Sequence, residues 1–262
     1  MLEATSIALS FQGVRALSGV DLKIDRGELL GVIGPNGSGK STLFNVISGI
    51  YRPDSGKLVF RGESLLGISP ARVVRRGLVR TFQNKRLFSN LTVQENVAVA
   101  ALELEAGSAL GDVLGLRRSR EALRSAYQRA RECLRIVGLS VMADVLAKDL
   151  PYGAQNRLEM ARALVLEPEL LLLDEPAAGL NPAERTEVVE LVRGLHGRGI
   201  TIALVEHDMR IVTGLCSRIA VLDHGEKIAD GPAREVIHDP KVLEAYFGAE
   251  LTEARETANE QQ

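Results

Sequence analysis

Gly34-Pro35-Asn36-Gly37-Ser38-Gly39-Lys40-Ser41 matches G-x-x-x-x-G-K-[ST] at every fixed position. An apolar run, Leu29 to Ile33, leads into it and the helix-like STLFNVISGI leads out, which is the context this motif needs. The glycines let the backbone curl so that successive N–H groups face one anion, and a helix starting near Lys40 adds its positive dipole end. Lys40 supplies a mobile charge for β and γ phosphates, and the Ser41 hydroxyl is placed to ligate Mg²⁺. The stretch Gly34 to Thr42 therefore points to nucleotide phosphate binding. Alone, it leaves kinase, GTPase, helicase and motor open.

A second candidate lies far downstream, where Leu170 to Leu173 run into Asp174-Glu175. Consecutive residues at a strand's end face opposite sides of a sheet. That predicts Asp174 in a Mg²⁺ shell and Glu175 facing an attacking water as general base or polariser. ITIALVEHD has the same form, an apolar strand ending at Glu206-His207-Asp208. A lone histidine is more often structural than catalytic. Here the strand is expected beside the phosphate-loop strand, within reach of a γ-phosphate.

These groups need elements to hold them. SIALSF, VDLKI and ELLGVIG read as strands separated by Gly13, Gly19 and Arg26-Gly27, and Pro53 to Gly56 turns into a further strand, KLVFRG. Residues 70–150 read as helical. Within 117–137, Ala122, Leu123, Ala126, Ala130, Cys133, Leu134 and Val137 form one stripe, arginines and glutamates cover the solvated face, and Gly138 reads as the C-cap. From residue 157 helices and strands alternate again, implying right-handed crossovers and a parallel sheet. Asp223-His224-Gly225 reads as a hairpin turn, and the closing TEARETANEQQ as a disordered tail.

Composition agrees with an ordinary globular core: 262 residues, 45% hydrophobic, 25% charged, with no tryptophan. With 32 basic against 34 acidic residues, the chain lacks the basic excess of a dedicated nucleic-acid binder. Cys133 and Cys216 have no metal-ligand spacing around them and read as buried thiols of a reducing cytoplasm. The N-terminus has no signal-peptide pattern, and no stretch approaches the roughly 18 apolar residues of a membrane span.

Together and in this order, the motifs resemble the ATP-binding subunit of an ABC transporter over nearly the whole chain. The long separation between Lys40 and Asp174 suits a helical subdomain inserted between the two sites. The resemblance implies an α/β phosphate-loop NTPase core with a mainly parallel sheet, an N-terminal antiparallel β subdomain and an inserted α-helical subdomain at about 84–155. That domain would occupy 1–248, with 249–262 as a polar tail. Phe11 resembles the aromatic that stacks on adenine. Gln83 in RTFQN resembles the glutamine that touches Mg²⁺ and senses membrane subunits, and His207 the switch histidine. LPYGAQNRLEMARAL (150–164) resembles the family signature, whose Tyr152 and Gly153 would face the γ-phosphate held by the other subunit of a head-to-tail dimer. Ala178-Gly179-Leu180-Asn181 resembles the loop linking the two sites.

The signature departs from L-S-G-G-Q: Pro151 replaces the serine, Tyr152 a glycine and Ala154 the glutamine. Proline suits a helix's first turn, and backbone donors at Tyr152 and Gly153 survive. RTFQNKRLFSNLTVQENV, VEHDMRIVTGLCSRIAVLDHGEKIADG and the ending DPKVLEAYFG are similar to the G-type ATPase group of branched-chain amino-acid uptake systems. That group implies ATP and Mg²⁺, two transmembrane permeases, and a second ATP-binding subunit of F type or a second copy of the chain. It also implies a periplasmic solute-binding protein and a peripheral place on the cytoplasmic face of the inner membrane, with no nucleic acid. Two competing readings are a soluble ABC ATPase acting on ribosomes or DNA and a binding-only cassette. One cassette with an ordinary insert argues against the former, and Glu175 with His207 against the latter.

Overall fold

The structure, a computed structural model, describes residues 1–81, 87–105, 116–246 and 248. In chain order its elements begin β1 (Leu2–Phe11), β2 (Val14–Ile24), β3 (Leu29–Ile33), α1 (Lys40–Ile47), β4 (Ser55–Phe60), β5 (Glu63–Ser64), α2 (Pro70–Arg75), β6 (Leu78–Arg80) and α3 (Val93–Glu105). They continue with α4 (Leu116–Ile136), α5 (Tyr152–Leu164), β7 (Leu170–Asp174), α6 (Pro182–Gly197), β8 (Thr201–Val205), α7 (Met209–Leu215), β9 (Arg218–Asp223), β10 (Glu226–Pro232), α8 (Ala233–Val236) and α9 (240–246). The chain divides into two compact units: residues 1–73, 172–175 and 196–262, and residues 74–171 with 176–195.

The first unit contains two sheets. The antiparallel one runs β2-β1-β4-β5, with Leu2 opposite both Ile24 and Phe60. The other sets β3 between β8 and β9, both parallel to it: Val32 pairs with Val205, and Ile33 with Val221. β10 extends it antiparallel beside β9, and Leu172–Asp174 bring β7 to the other side of β8. Every residue of β3, β7 and β8 is buried, so these strands read as unbroken apolar runs rather than alternating ones. The alternation of strand and helix thus yields the expected parallel core, and Glu206-His207 follow β8, the strand next to the phosphate-loop strand.

The second unit is mainly helical. Thr92 and Glu95 form a reciprocal capping box at the start of α3, the Glu95 carboxylate accepting the Thr92 N–H at 2.7 Å and Thr92 Oγ1 the Glu95 N–H at 3.2 Å. Fully buried Asn96 folds the preceding loop, donating to the carbonyls of Phe88, Leu91 and Thr92. Of the stripe, Ala122 is half-buried, while Ala126, Ala130, Cys133 and Leu134 on α4 and Val137 just past its end are buried. Leu123 is not: it is 44% exposed. Apolar spacing marks a helix face, and only the part of that face covered by neighbours becomes core. Gly138 takes φ +71° and Leu139 N–H reaches the Leu134 carbonyl at 2.8 Å, the expected C-cap in Schellman form.

At the β9–β10 turn, His224 and Gly225 both have positive φ, as a two-residue type I′ hairpin requires. Below the turn, Arg218 joins three strands: it donates to Asp230 at 2.7 and 2.9 Å, to Glu28 at 3.0 Å and to the Lys23 carbonyl at 3.0 Å. Burial pushes the Asp230 carboxyl up, but bonds and charge from Arg218 and Lys227 outweigh it, leaving its pKa below the ordinary 3.8. Ionised Asp230 therefore contributes stability that is complete above about pH 4 and is lost as pH falls through the folded-state value. Asp230→Asn should lower Tm by about 2–4 °C near neutral pH, roughly 1 kcal/mol at this chain length. Thermal melts of both proteins should converge as pH falls below the folded-state value, itself under 3.8.

Candidate functional site

β3 delivers the chain directly into Gly34. A Cβ on Gly34 would stand 2.0 Å from the Leu222 carbonyl oxygen and 2.6 Å from the Ser38 hydroxyl, so no side chain fits there. Gly39, at φ +104°, is equally confined, with the Ala16 carbonyl 2.8 Å from where its Cβ would be. The hairpin turn is tied to the loop, Gly225 N–H donating to the Ser38 carbonyl at 3.0 Å and Ser18 N–H to the Gly225 carbonyl at 2.8 Å.

Lys40 is 7% exposed and arches back over the loop. Its ammonium donates to the carbonyls of Gly34 and Pro35, each at 2.8 Å, and to Ser38 Oγ at 3.3 Å. Burial lowers its pKa, and the nearby charges of Glu175 and Asp174 oppose that shift. The loop cation and both downstream carboxylates are thus brought to one place. α1 opens at Lys40 with Gly39 as N-cap and no side-chain cap, so its first N–H groups remain available to an anion. Ser41 and Thr42 follow in the first turn.

Asp174 closes β7 and is buried, while Glu175 is half-buried. The pleat argument for their opposed directions fails in detail. Glu175 lies outside the strand at φ +49°, in the left-handed region, with its N–H bonded to the Val205 carbonyl at 2.9 Å. A left-handed turn anchored to β8, not strand alternation, aims its carboxylate.

His207 follows β8 with its side chain 60% exposed, and its Nδ1 lies 3.8 Å from the buried carboxylate of Glu206. Asp208 is committed to capping α7, accepting Arg210 N–H at 2.9 Å. Phe11 is 42% exposed and meets Tyr51 edge-to-face, centroids 5.2 Å apart at 69°. Gln83 lies outside the described residues, as does the stretch 249–262.

Tyr152 and Gly153 begin α5 in the second unit. Pro151 is its N-cap, at φ −55° and ψ 152°, one residue ahead of the first turn in which it was expected. The start of α5 grips the loop that follows Glu175. Asn156 Nδ2 donates to the Pro176 carbonyl at 3.1 Å, and a Cβ on Gly179 would stand 3.2 Å from the Tyr152 ring. Gly153 packs so tightly that a Cβ there would lie 2.5 Å from Glu184 Oε1. Glu184 and Asn181 form the capping box of α6, each accepting the other's N–H at 3.0–3.1 Å. Sequence reasoning missed Tyr51, Asn156 and Glu184. Only Glu184 had a signal, the N-x-x-E spacing ahead of an apolar helix.

The donors at the loop suit a Mg²⁺-nucleotide: N–H groups and an ammonium for phosphate oxygens, a hydroxyl and a carboxylate for a hard cation. Among the described residues no group of three or more His, Cys, Asp or Glu could hold a metal ion by itself.

Residues 17–178 match the family model of the ABC transporter. The chain belongs to the ABC transporter family. A second model, that of the branched-chain amino acid ATP-binding cassette transporter, matches residues 226–252 of the cassette. The cassette is 40% identical over 249 residues to the high-affinity branched-chain amino acid transport ATP-binding protein LivG of Escherichia coli strain K12, covering 95% of this chain and 98% of that one. Among solved structures, it resembles MJ1267, an ATP-binding cassette of an ABC transporter in its ADP conformation, with TM-score 0.81, 31% identity, and coverage of 95% and 98%. It also resembles the dimeric, post-hydrolysis cassette MJ0796 bound to ADP and Pi, with TM-score 0.76, 26% identity, and coverage of 89% and 99%.

The cassette's α5–α6 contact makes a direct test. Gly153→Ala should destabilise by about 2 kcal/mol through overpacking, and Glu184→Ala by about 1 kcal/mol through the lost cap. Because the second change removes the atom that the first strikes, urea unfolding should find the double variant at least about 1 kcal/mol better than additive.

Proposed function

We propose that this cassette is the ATP-hydrolysing subunit of an importer for branched-chain amino acids or related small amino-acid-like solutes. The observation that carries the reading is the pairing, in one chain, of a phosphate loop whose Lys40 lies beside Asp174 and Glu175 with the branched-chain match at 226–252. Loop N–H groups and Lys40 bind the β and γ phosphates across Gly34 to Thr42. Phe11, in a T-shaped contact with Tyr51, stacks on the adenine. Ser41, Gln83 and Asp174 would hold Mg²⁺, which would supply positive charge against the charge developing on the phosphate oxygens. Glu175 orients the attacking water and accepts its proton, and His207 reads the γ-phosphate from the end of β8. Water attacks the γ-phosphorus, the bond to the bridging oxygen breaks, and ADP and phosphate leave.

The γ-phosphate is enclosed from the far side by a second cassette, of F type or another copy of this chain, through the backbone donors of Tyr152 and Gly153 and the α5 dipole. Pro151 has no hydroxyl to add to them. Among the described residues no helix is long and apolar enough to cross a membrane. Two permease subunits would supply the spans, with this chain peripheral on the cytoplasmic face and a periplasmic binding protein delivering solute. The ATP-binding domain takes 1–248, with the helical subdomain at about 84–155 and a polar tail after it.

Glu175→Gln should leave MgATP bound and reduce turnover of the assembled transporter at least about 100-fold; full activity in that variant would overturn the hydrolytic role. Affinity purification should bring down two multi-span proteins and a second cassette. Pro151→Ser should raise turnover by no more than about a hundredfold, one added hydrogen bond to a charged group being worth about 1.5–3 kcal/mol.

A further inference from the structure

α9 has no place in the chemistry above, yet it packs against the start of the phosphate loop. Val242 is 1% exposed and fixes the helix in the core. Tyr246, four residues on, shares its face. A cleft of about 560 Å³ separates Lys241, Glu244 and Ala245 of α9 from loop residues Pro35 to Ser38. At the head of the loop the relation changes. The Tyr246 hydroxyl is buried and faces the Gly34 backbone without closing to ordinary hydrogen-bond geometry. Burial pushes this phenol up to about 12, against the opposing pull of the Gly34 amide, so it is neutral at physiological pH. Gly34 is also the residue whose carbonyl accepts Lys40 and whose Cα lies against the Leu222 carbonyl.

A buried hydroxyl without a partner costs free energy, and a small movement of Gly34 would recover it. We propose that Tyr246 is a positioning residue for nucleotide binding: its phenol receives the Gly34 N–H as the loop takes up phosphates, so that α9 helps set nucleotide affinity. The proposal rests on reading Gly34 to Thr42 as the phosphate-binding loop. It gives the branched-chain segment at 226–252 a part in the ATP site, through one oxygen.

Tyr246→Phe keeps the ring and removes only that oxygen. In the full-length protein, the nucleotide-free Tm should be unchanged or higher. Calorimetric affinity for MgADP should fall about three- to tenfold, the value of one hydrogen bond. In the assembled transporter the KM for ATP should rise similarly, with kcat within twofold. An affinity within twofold of the original overturns the proposal, as does a parallel fall in Tm and affinity, which would mark a packing role. Hydrogen exchange on the unaltered protein is independent of any variant: MgADP should slow exchange in 240–246 as well as in 33–38, and no protection of 240–246 would count against the coupling. Lys40→Ala is the control for the loop itself. If it binds MgADP normally, the phosphate-loop reading fails; if it loses binding while Tyr246→Phe does not, only the role of Tyr246 fails.

Discussion

The placement of β3 between two parallel neighbours is the constraint on which the site depends. Its pairing with β8 and β9 fixes where the chain must leave the sheet, and Gly34 leaves it against the Leu222 carbonyl with no room for a Cβ. From that point the loop can only curl back over itself, and Lys40 is held by carbonyls of the residues it has just passed. β8 supplies the other fixed point. Its last carbonyl, on Val205, holds the Glu175 amide, so the left-handed turn after Asp174 is registered to the same sheet that aims the loop. The groups that meet at Lys40 come from distant parts of the sequence because parallel strands must be joined by long crossovers.

The second unit follows a different logic. The beginning of α5 is packed against the loop 176–181 through Tyr152, Gly153 and Asn156, and that loop is the direct continuation of the Asp174-Glu175 turn. The unusual residues of the signature are thus not idle substitutions. Tyr152, standing where the common motif has glycine, provides the ring against which Gly179 lies. Pro151 presets the extended backbone that precedes the helix, a φ that its ring enforces.

Much of this was legible in the residues. The phosphate loop announced itself because its chemistry is local: glycines, lysine and serine act within one turn of chain. The fully apolar runs of β3, β7 and β8 betrayed a buried parallel sheet, and Gly138 marked the end of α4. What failed had non-local causes. Leu123 has the periodicity of a core residue, but periodicity is silent on whether a neighbour covers it. Glu175 was assigned its direction by strand alternation, whereas a bond to β8 from a left-handed turn decides it. Tyr51, Asn156 and Tyr246 matter through partners far away in sequence, and no pattern within a dozen residues encodes such contacts.

The two cysteines have a practical consequence. Cys133 and Cys216 are buried, and burial, joined at Cys133 by the charges of Glu132 and Glu167, pushes their thiols up to about 11 and about 12. Thiolate, the form that alkylating probes capture, is therefore scarce at both positions near neutral pH. A reporter cysteine at Val141, which is 92% exposed, would carry a fluorophore or spin label against a quiet background, with both native thiols left in the core they help to fill.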